Sequence, residues 1–169
     1  IGSMIVLGID PGTAICGYGI IEAEGNRIRA VEYGAVQTSP KLDPAARLQT
    51  VFAGVDGLIK RYRPDLLGVE MLFFNKNVTT AMAVGQARGV ILLAAAQNGI
   101  AVLEYTPLQV KQSVVGYGKA TKEQVIYMTQ KLLNLPDKPH PDDVADALAV
   151  AICTAHTGHM AAKLREYRT

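Results

Sequence analysis

The stretch Met4-Ile5-Val6-Leu7-Gly8-Ile9-Asp10-Pro11-Gly12-Thr13 sets the terms for the rest of the chain. Five apolar residues around one glycine predict a short buried strand. Its exit is abrupt: an aspartate, then proline and glycine to turn the chain. A carboxylate at the end of a buried strand is half desolvated. It can cap a turn, bind a cation or do chemistry. An Asx-turn made by Asp10 explains this stretch as well as any active role does. The choice depends on whether other acids arrive at the same place.

The chain has 169 residues, enough for one domain with a real core, and is 49% hydrophobic and 19% charged. Its longest apolar run, Gly89 to Ala96, is far short of the ~20 residues that span a bilayer. Without a recognisable export signal, the chain is expected to be cytoplasmic, with no membrane partner. Ile1-Gly2-Ser3 ahead of Met4 reads as a remnant of cloning. Cys16 and Cys153 stand in apolar surroundings without metal-ligand spacing, so buried reduced thiols are expected. A net charge of +2 does not announce nucleic acid, so any such partner must be argued from where the charges sit.

Further along, Cys16 to Glu22 predicts a second strand and Arg27 to Thr38 a third, with Glu24-Gly25-Asn26 as the hairpin turn between them. The short return at Thr13-Ala14 makes the first two strands antiparallel neighbours. Asp43-Pro44 opens a helix whose apolar residues (Leu48, Val51, Phe52, Val55, Leu58, Ile59, Tyr62) recur at three- and four-residue steps until Pro64. Asp65 to Glu70 predicts a strand buried on both faces, and it too ends in a carboxylate. A helix from Thr79 to Gln97, a strand from Ile100 to Tyr105, and a helix opened by the capping box Thr121-x-x-Gln124 follow. The last helix opens near Pro141 and runs to about His156. This order predicts an α/β protein with a mixed five-stranded sheet and helices on both faces, a single domain over residues 4–156, and a tail over 157–169.

Helix-linked strands lie parallel to the first strand when they stand beside it, and such sheets bind ligands at the carboxyl ends of their strands. Asp10 and Glu70 both occupy such ends. The last helix adds Asp142, Asp143 and Asp146. Acids in a first turn are also what a helix dipole favours, which accounts for Asp142 and Asp143 without any function. Asp146 lies a turn deeper, shares a face with Asp143, and borders the apolar run Ala147 to Ile152. Converging carboxylates without cysteine or a histidine cluster suit hard cations, Mg²⁺ first and Mn²⁺ as substitute. Two such ions about 4 Å apart serve phosphodiester hydrolysis.

Five motifs together resemble RuvC, the bacterial Holliday junction resolvase family: Gly8-Ile9-Asp10-Pro11-Gly12, Val69-Glu70-x-x-Phe73-Phe74, Gly85-Gln86-Ala87-Arg88-Gly89, Gln109-Val110-Lys111-Gln112 and Asp143-x-x-Asp146-Ala147-Leu148-Ala149. They run in order from Met4 to about His156. The resemblance implies an RNase H-like fold, a homodimer, and Mg²⁺-dependent paired nicks in opposed strands of four-way junction DNA. It assigns the catalytic, metal-holding acids to Asp10, Glu70, Asp143 and Asp146, and leaves Asp142 structural. Phe73 corresponds to an aromatic near the junction's exchange point, and Lys111 and Lys122 to basic residues facing DNA, with Lys119 a further phosphate contact. Unaided, Phe73 reads as core filler and each lysine as a solvated surface group. Met71 departs from the polar residue that many relatives carry after the glutamate. The resemblance also implies work with a branch-migration motor, RuvA and RuvB, although no stretch identifies that contact.

Two other classes fit parts of the pattern. An actin-like or sugar-kinase ATPase shares the Gly8-Ile9-Asp10-Pro11-Gly12-Thr13 phosphate motif, but needs two domains of this fold and a second phosphate loop. A non-cleaving module for branched DNA could use the acids to hold a structural ion. The helix Thr79 to Gln97, rich in small and apolar residues, is expected either to pack on its own sheet or to meet a second copy.

Overall fold

The computed structural model describes residues 2–71 and 78–166, with side chains through residue 158. Strand β1 (Met4–Asp10) pairs antiparallel with β2 (Ile15–Glu24), which pairs antiparallel with β3 (Arg27–Gln37). The β2–β3 hairpin closes through Gly25, whose φ of 60° lies in the left-handed region where glycine is favoured. Helix α1 (Pro44–Tyr62) starts where Asp43 accepts the Ala46 N–H at 2.8 Å, and buries Val51, Val55 and Ile59 one turn apart. It returns the chain to β4 (Leu66–Glu70), parallel to β1. Helix α2 (Val78–Gln97) then leads to β5 (Ala101–Tyr105), parallel to β4. The sheet order is β3-β2-β1-β4-β5, mixed and five-stranded as expected.

Alternation along each strand sorts side chains onto two cores. Leu7, Ile9, Cys16, Ile20, Leu67 and Val69 face α1 and α2, packing on Val51, Val55, Ile59, Ile91, Ala94 and Ala95. Val6, Ile21, Ala23 and Tyr105 face the other way, onto α5 (Asp142–Glu166). Two further helices, α3 (Pro107–Val115) and α4 (Lys122–Leu132), pack against α5. Cys16 and Cys153 are both buried free thiols, and they lie in different cores.

Three features differ from the sequence expectations. Helix α3 is an element that periodicity does not reveal. Its start carries the same chemistry as that of α4: Thr106 accepts the Gln109 N–H at 3.1 Å and Gln109 accepts the Thr106 N–H at 2.8 Å. Helix α5 runs to Glu166 rather than stopping at His156, so most of the expected tail is helical. Gly158 does not break it, because the residue is buried against Leu66 and Met4. Finally, α2 is, by length and composition (mean hydropathy 1.4), apolar enough to cross a membrane, although no single run within it is long enough. Here it packs along α1.

Helix α5 lies close on the sheet. A Cβ on Gly8 would meet the Ala147 carbonyl and stand 2.6 Å from the Ala151 nitrogen. A Cβ on Gly17 would meet the Asp143 backbone, and one on Gly68 the Thr154 hydroxyl. The three glycines sit on three adjacent strands, and the helix meets them with Ala147 and Ala151 at Gly8, Asp143 at Gly17 and Thr154 at Gly68. This close seating fixes the depth of the helix over the strand ends.

Candidate metal centre

The same alternation that sends Leu7 and Ile9 toward α1 and α2 sends Val6, Gly8 and therefore Asp10 toward α5. In β4, Leu67 and Val69 face α1 and α2, so Gly68 and Glu70 face α5. Parallel pairing of Ile9 with Val69 makes Asp10 and Glu70 neighbours on strands about 4.8 Å apart. Asp10 is also paired with Gly17, over which Asp143 sits, its Cβ only 3.1 Å from where a Gly17 Cβ would be. Asp146 follows one turn later on the same face of α5.

The four acids act on one another. Burial, and then Asp146, Asp143 and Glu70 in that order, push the Asp10 carboxyl up to about 8, and a hydrogen bond with Asp143 adds to the shift. Burial raises Glu70 as well, with Asp146 adding to it while Lys111 and Lys122 oppose it. Asp146 is raised by burial against the pull of Lys122. Lys122 is itself raised, chiefly by Asp146.

A pocket of about 270 Å³ opens beside these acids, lined by Glu70, Asp146, Lys111 and Lys122 over a floor of Pro107, Val110, Val125 and Ala149. Lys111 is carried by α3, and Lys122 by the first turn of α4. The Lys122 ammonium stands 3.5 Å from Asp142 and 3.7 Å from Asp146. Among the described residues, no three acidic, histidine or cysteine side chains form a ready cage for an ion. The Lys122 ammonium offsets part of the acids' charge, and an all-oxygen, mutually repelling donor set of this kind suits a hard divalent cation.

Of the residues singled out in the sequence, Asp10, Glu70, Asp143, Asp146, Lys111 and Lys122 meet in one place. Asp142 is exposed and turned to Lys122, whereas half-buried Asp143 neighbours Asp10. Lys119 is exposed in the turn between α3 and α4 and does not line the pocket. Phe73 lies outside the described residues. One contact was not foreseen: the Arg88 guanidinium donates to the Glu70 backbone carbonyl at 2.8 Å.

Comparison with known proteins agrees with this geometry. The family described as Crossover junction endodeoxyribonuclease RuvC matches residues 6–154. A relative of that name from Heliobacterium modesticaldum is 63% identical over 154 residues, covering 91% of this chain and 95% of the relative. The Moorella thermoacetica relative is 60% identical over 152 residues, covering 90% and 91%. Among solved structures, Thermus thermophilus RuvC superposes with a TM-score of 0.87 at 38% identity, covering 94% of this chain and 97% of that one. The same protein in complex with Holliday junction substrate gives 0.88 at 37% identity, covering 94% and 96%. A yeast mitochondrial Holliday junction resolvase shares the fold at 0.68 and 14% identity, covering 96% and 82%. The architecture is thus the RNase H-like one expected, and with matches spanning nearly the whole chain, this protein belongs to the RuvC family of crossover junction endodeoxyribonucleases.

Proposed function

We propose that the protein resolves Holliday junctions, cutting two opposed strands of a four-way DNA junction during recombination and repair. The observation that carries the reading is the gathering of Asp10, Glu70, Asp143 and Asp146 from two strand ends and one helix into a single desolvated site rimmed by Lys111 and Lys122. The solved Thermus relative, seen with Holliday junction substrate, supplies the substrate class.

The donor set fits Mg²⁺, with Mn²⁺ as substitute: all oxygen, mutually repelling, and short of positive charge. Asp10 and Glu70 would hold one ion, and Asp10 with Asp143 and Asp146 a second. Such a pair activates water and stabilises the leaving oxygen of a phosphodiester. The remaining work falls to the chain. To hold the ions, Asp10 would need to be ionised and Asp146 released from Lys122. Lys111 and Lys122 then face the DNA backbone and offset its charge, with Lys119 and Phe73 further contacts. Nicks that leave 5′-phosphates suit later sealing.

A two-fold dimer meets a nearly two-fold junction and supplies the second cut. Support comes from α2, which is apolar on nearly every side, yet leaves Val78 62%, Met82 59% and Leu93 50% exposed. Beside Leu93 a groove of about 610 Å³ runs past Leu48, Phe52 and Val90. A second copy laid along this face would cover both. Cytoplasmic action on the chromosome, beside RuvA and RuvB, completes the reading.

A labelled synthetic four-way junction, incubated with Mg²⁺ and then with EDTA, tests it. Metal-dependent paired nicks are expected, and Asp10→Asn should bind the junction without cutting. Binding without cuts by the parent protein would favour a recognition module, and ATP hydrolysis the kinase-like reading.

A further inference from the structure

The motif Gly85-Gln86-Ala87-Arg88-Gly89 takes no part in the carboxylate site, yet its arginine reaches that site from beneath. Helix α2 covers the sheet face opposite α5, so Arg88 and the acids lie on different sides of the sheet. The Arg88 side chain is only 12% exposed, uncommon for this residue type. One guanidinium nitrogen donates to the Glu70 carbonyl at 2.8 Å, and the other lies 2.5 Å from Glu104 on β5. Glu104 keeps 43% exposure and remains solvated.

The place that Arg88 grips is where the sheet gives out. Pairing of β1 with β4 stops at Ile9–Val69, one residue short of Glu70. On the other side, Glu70–Tyr105 is the last pair, followed only by the Met71 N–H bond to the Tyr105 carbonyl at 2.7 Å. The peptide group between Glu70 and Met71 is therefore held to β5 through the Met71 N–H, with the β1 pairing already ended. Arg88 adds a second hold, on the carbonyl of that same peptide group, and joins it to Glu104 on the neighbouring strand. The charges acting most strongly on the Glu70 carboxyl are Asp146, Lys111 and Lys122, not Arg88.

We infer that Arg88 is a positioning residue for Glu70, clamping its backbone carbonyl from the opposite face of the sheet so that the carboxylate stands where a cation needs it. The inference rests on the proposed role of Glu70 as a metal ligand. A lysine would bring a compact charge on a flexible stem, without the rigid planar fork that fixes the two partners relative to each other. Supporting residues of this kind are worth roughly 10–100-fold in metal affinity or activity.

The test uses the full chain as Arg88→Met, Arg88→Lys, Glu104→Gln and Glu70→Gln. Three quantities are read: junction affinity in EDTA, the single-turnover cleavage rate against Mg²⁺ concentration, and the Mn²⁺ midpoint of the DNA-free protein, followed by the rise in unfolding temperature. For Arg88→Met the expected result is junction affinity within about two-fold of the parent, with cleavage slowed roughly 10–100-fold and both metal midpoints moved to higher concentration. Arg88→Lys should recover part of the loss. Parental cleavage and midpoints in a folded Arg88→Met overturn the inference, as does an equal loss of junction affinity and cleavage with metal midpoints unmoved. Should Arg88→Met not fold, Glu104→Gln decides: a raised Mn²⁺ midpoint upholds the clamp and an unchanged one removes it. Glu70→Gln separates the two levels. If it cuts at the parental rate, the metal-ligand reading itself has failed; if it is inactive while Arg88→Met is normal, only the clamp has.

Discussion

The Asp10 carboxyl is pushed up to about 8, first by burial and then by Asp146, Asp143 and Glu70, and the sign of this shift has consequences for stability. A raised folded pKa favours the protonated form. The stability it contributes is full below the ordinary value of 3.8 and is lost as pH rises toward about 8. Glu70 and Asp146 shift in the same direction. In EDTA, Asp10→Asn should therefore unfold at a higher temperature than the parent, by a margin that is small near pH 4 and widens to pH 8.5. A margin independent of pH would contradict this account. With saturating Mg²⁺ the order should reverse, since only the parent gains a full ligand set. Titrating Mn²⁺ calorimetrically at pH 7 in buffers of different ionisation heat should reveal close to one proton released per site as Asp10 ionises. How legible each residue was follows from its partners. Asp10 and Glu70 could be read because each closes an apolar run, and Asp143 with Asp146 because three residues separate them on a helix. Arg88 could not, because its partner is a peptide carbonyl, which leaves no mark in the sequence.

At the level of elements, the seating of α5 on Gly8, Gly17 and Gly68 determines the spacing of the acids. A Cβ on Gly68 would strike the Thr154 hydroxyl, which itself donates to the Val150 carbonyl at 2.7 Å. Gly68→Ala should cost about 1–3 kcal/mol in chemical denaturation. Thr154→Ala in the same chain should return a good part of it, a coupling that independent sites would not show. At Gly8 the obstacle is backbone rather than side chain, so no second substitution should rescue Gly8→Ala. Thr121 caps α4 and so anchors the turn bearing Lys122. Thr121→Ala should lose about 1 kcal/mol. The strands and α1 were readable because alternation, four-residue spacing and proline boundaries all agree there. Helix α3 was missed because its capping threonine directly follows β5 and its nine residues are too few for a periodic signal. The reach of α5 past His156 was not readable because nothing in the sequence shows that Gly158 packs against Leu66.

For the whole molecule, a net charge of +2 is too small for general attraction to DNA, so affinity must come from lysines placed around one site. Junction affinity should fall linearly with the logarithm of salt concentration, and Lys122→Ala should make that slope shallower by about one. Leu93→Glu on the exposed face of α2 should yield monomers in analytical ultracentrifugation and turn paired cuts into single nicks. A dimeric Leu93→Glu would place the partner elsewhere.

The glycine bed under α5 has one more implication. With peptide groups already in contact, there is no slack through which Asp143 and Asp146 could approach or retreat from Asp10 as a unit. Accommodation of a crossed duplex would then not come from a shift of this helix over the strand ends.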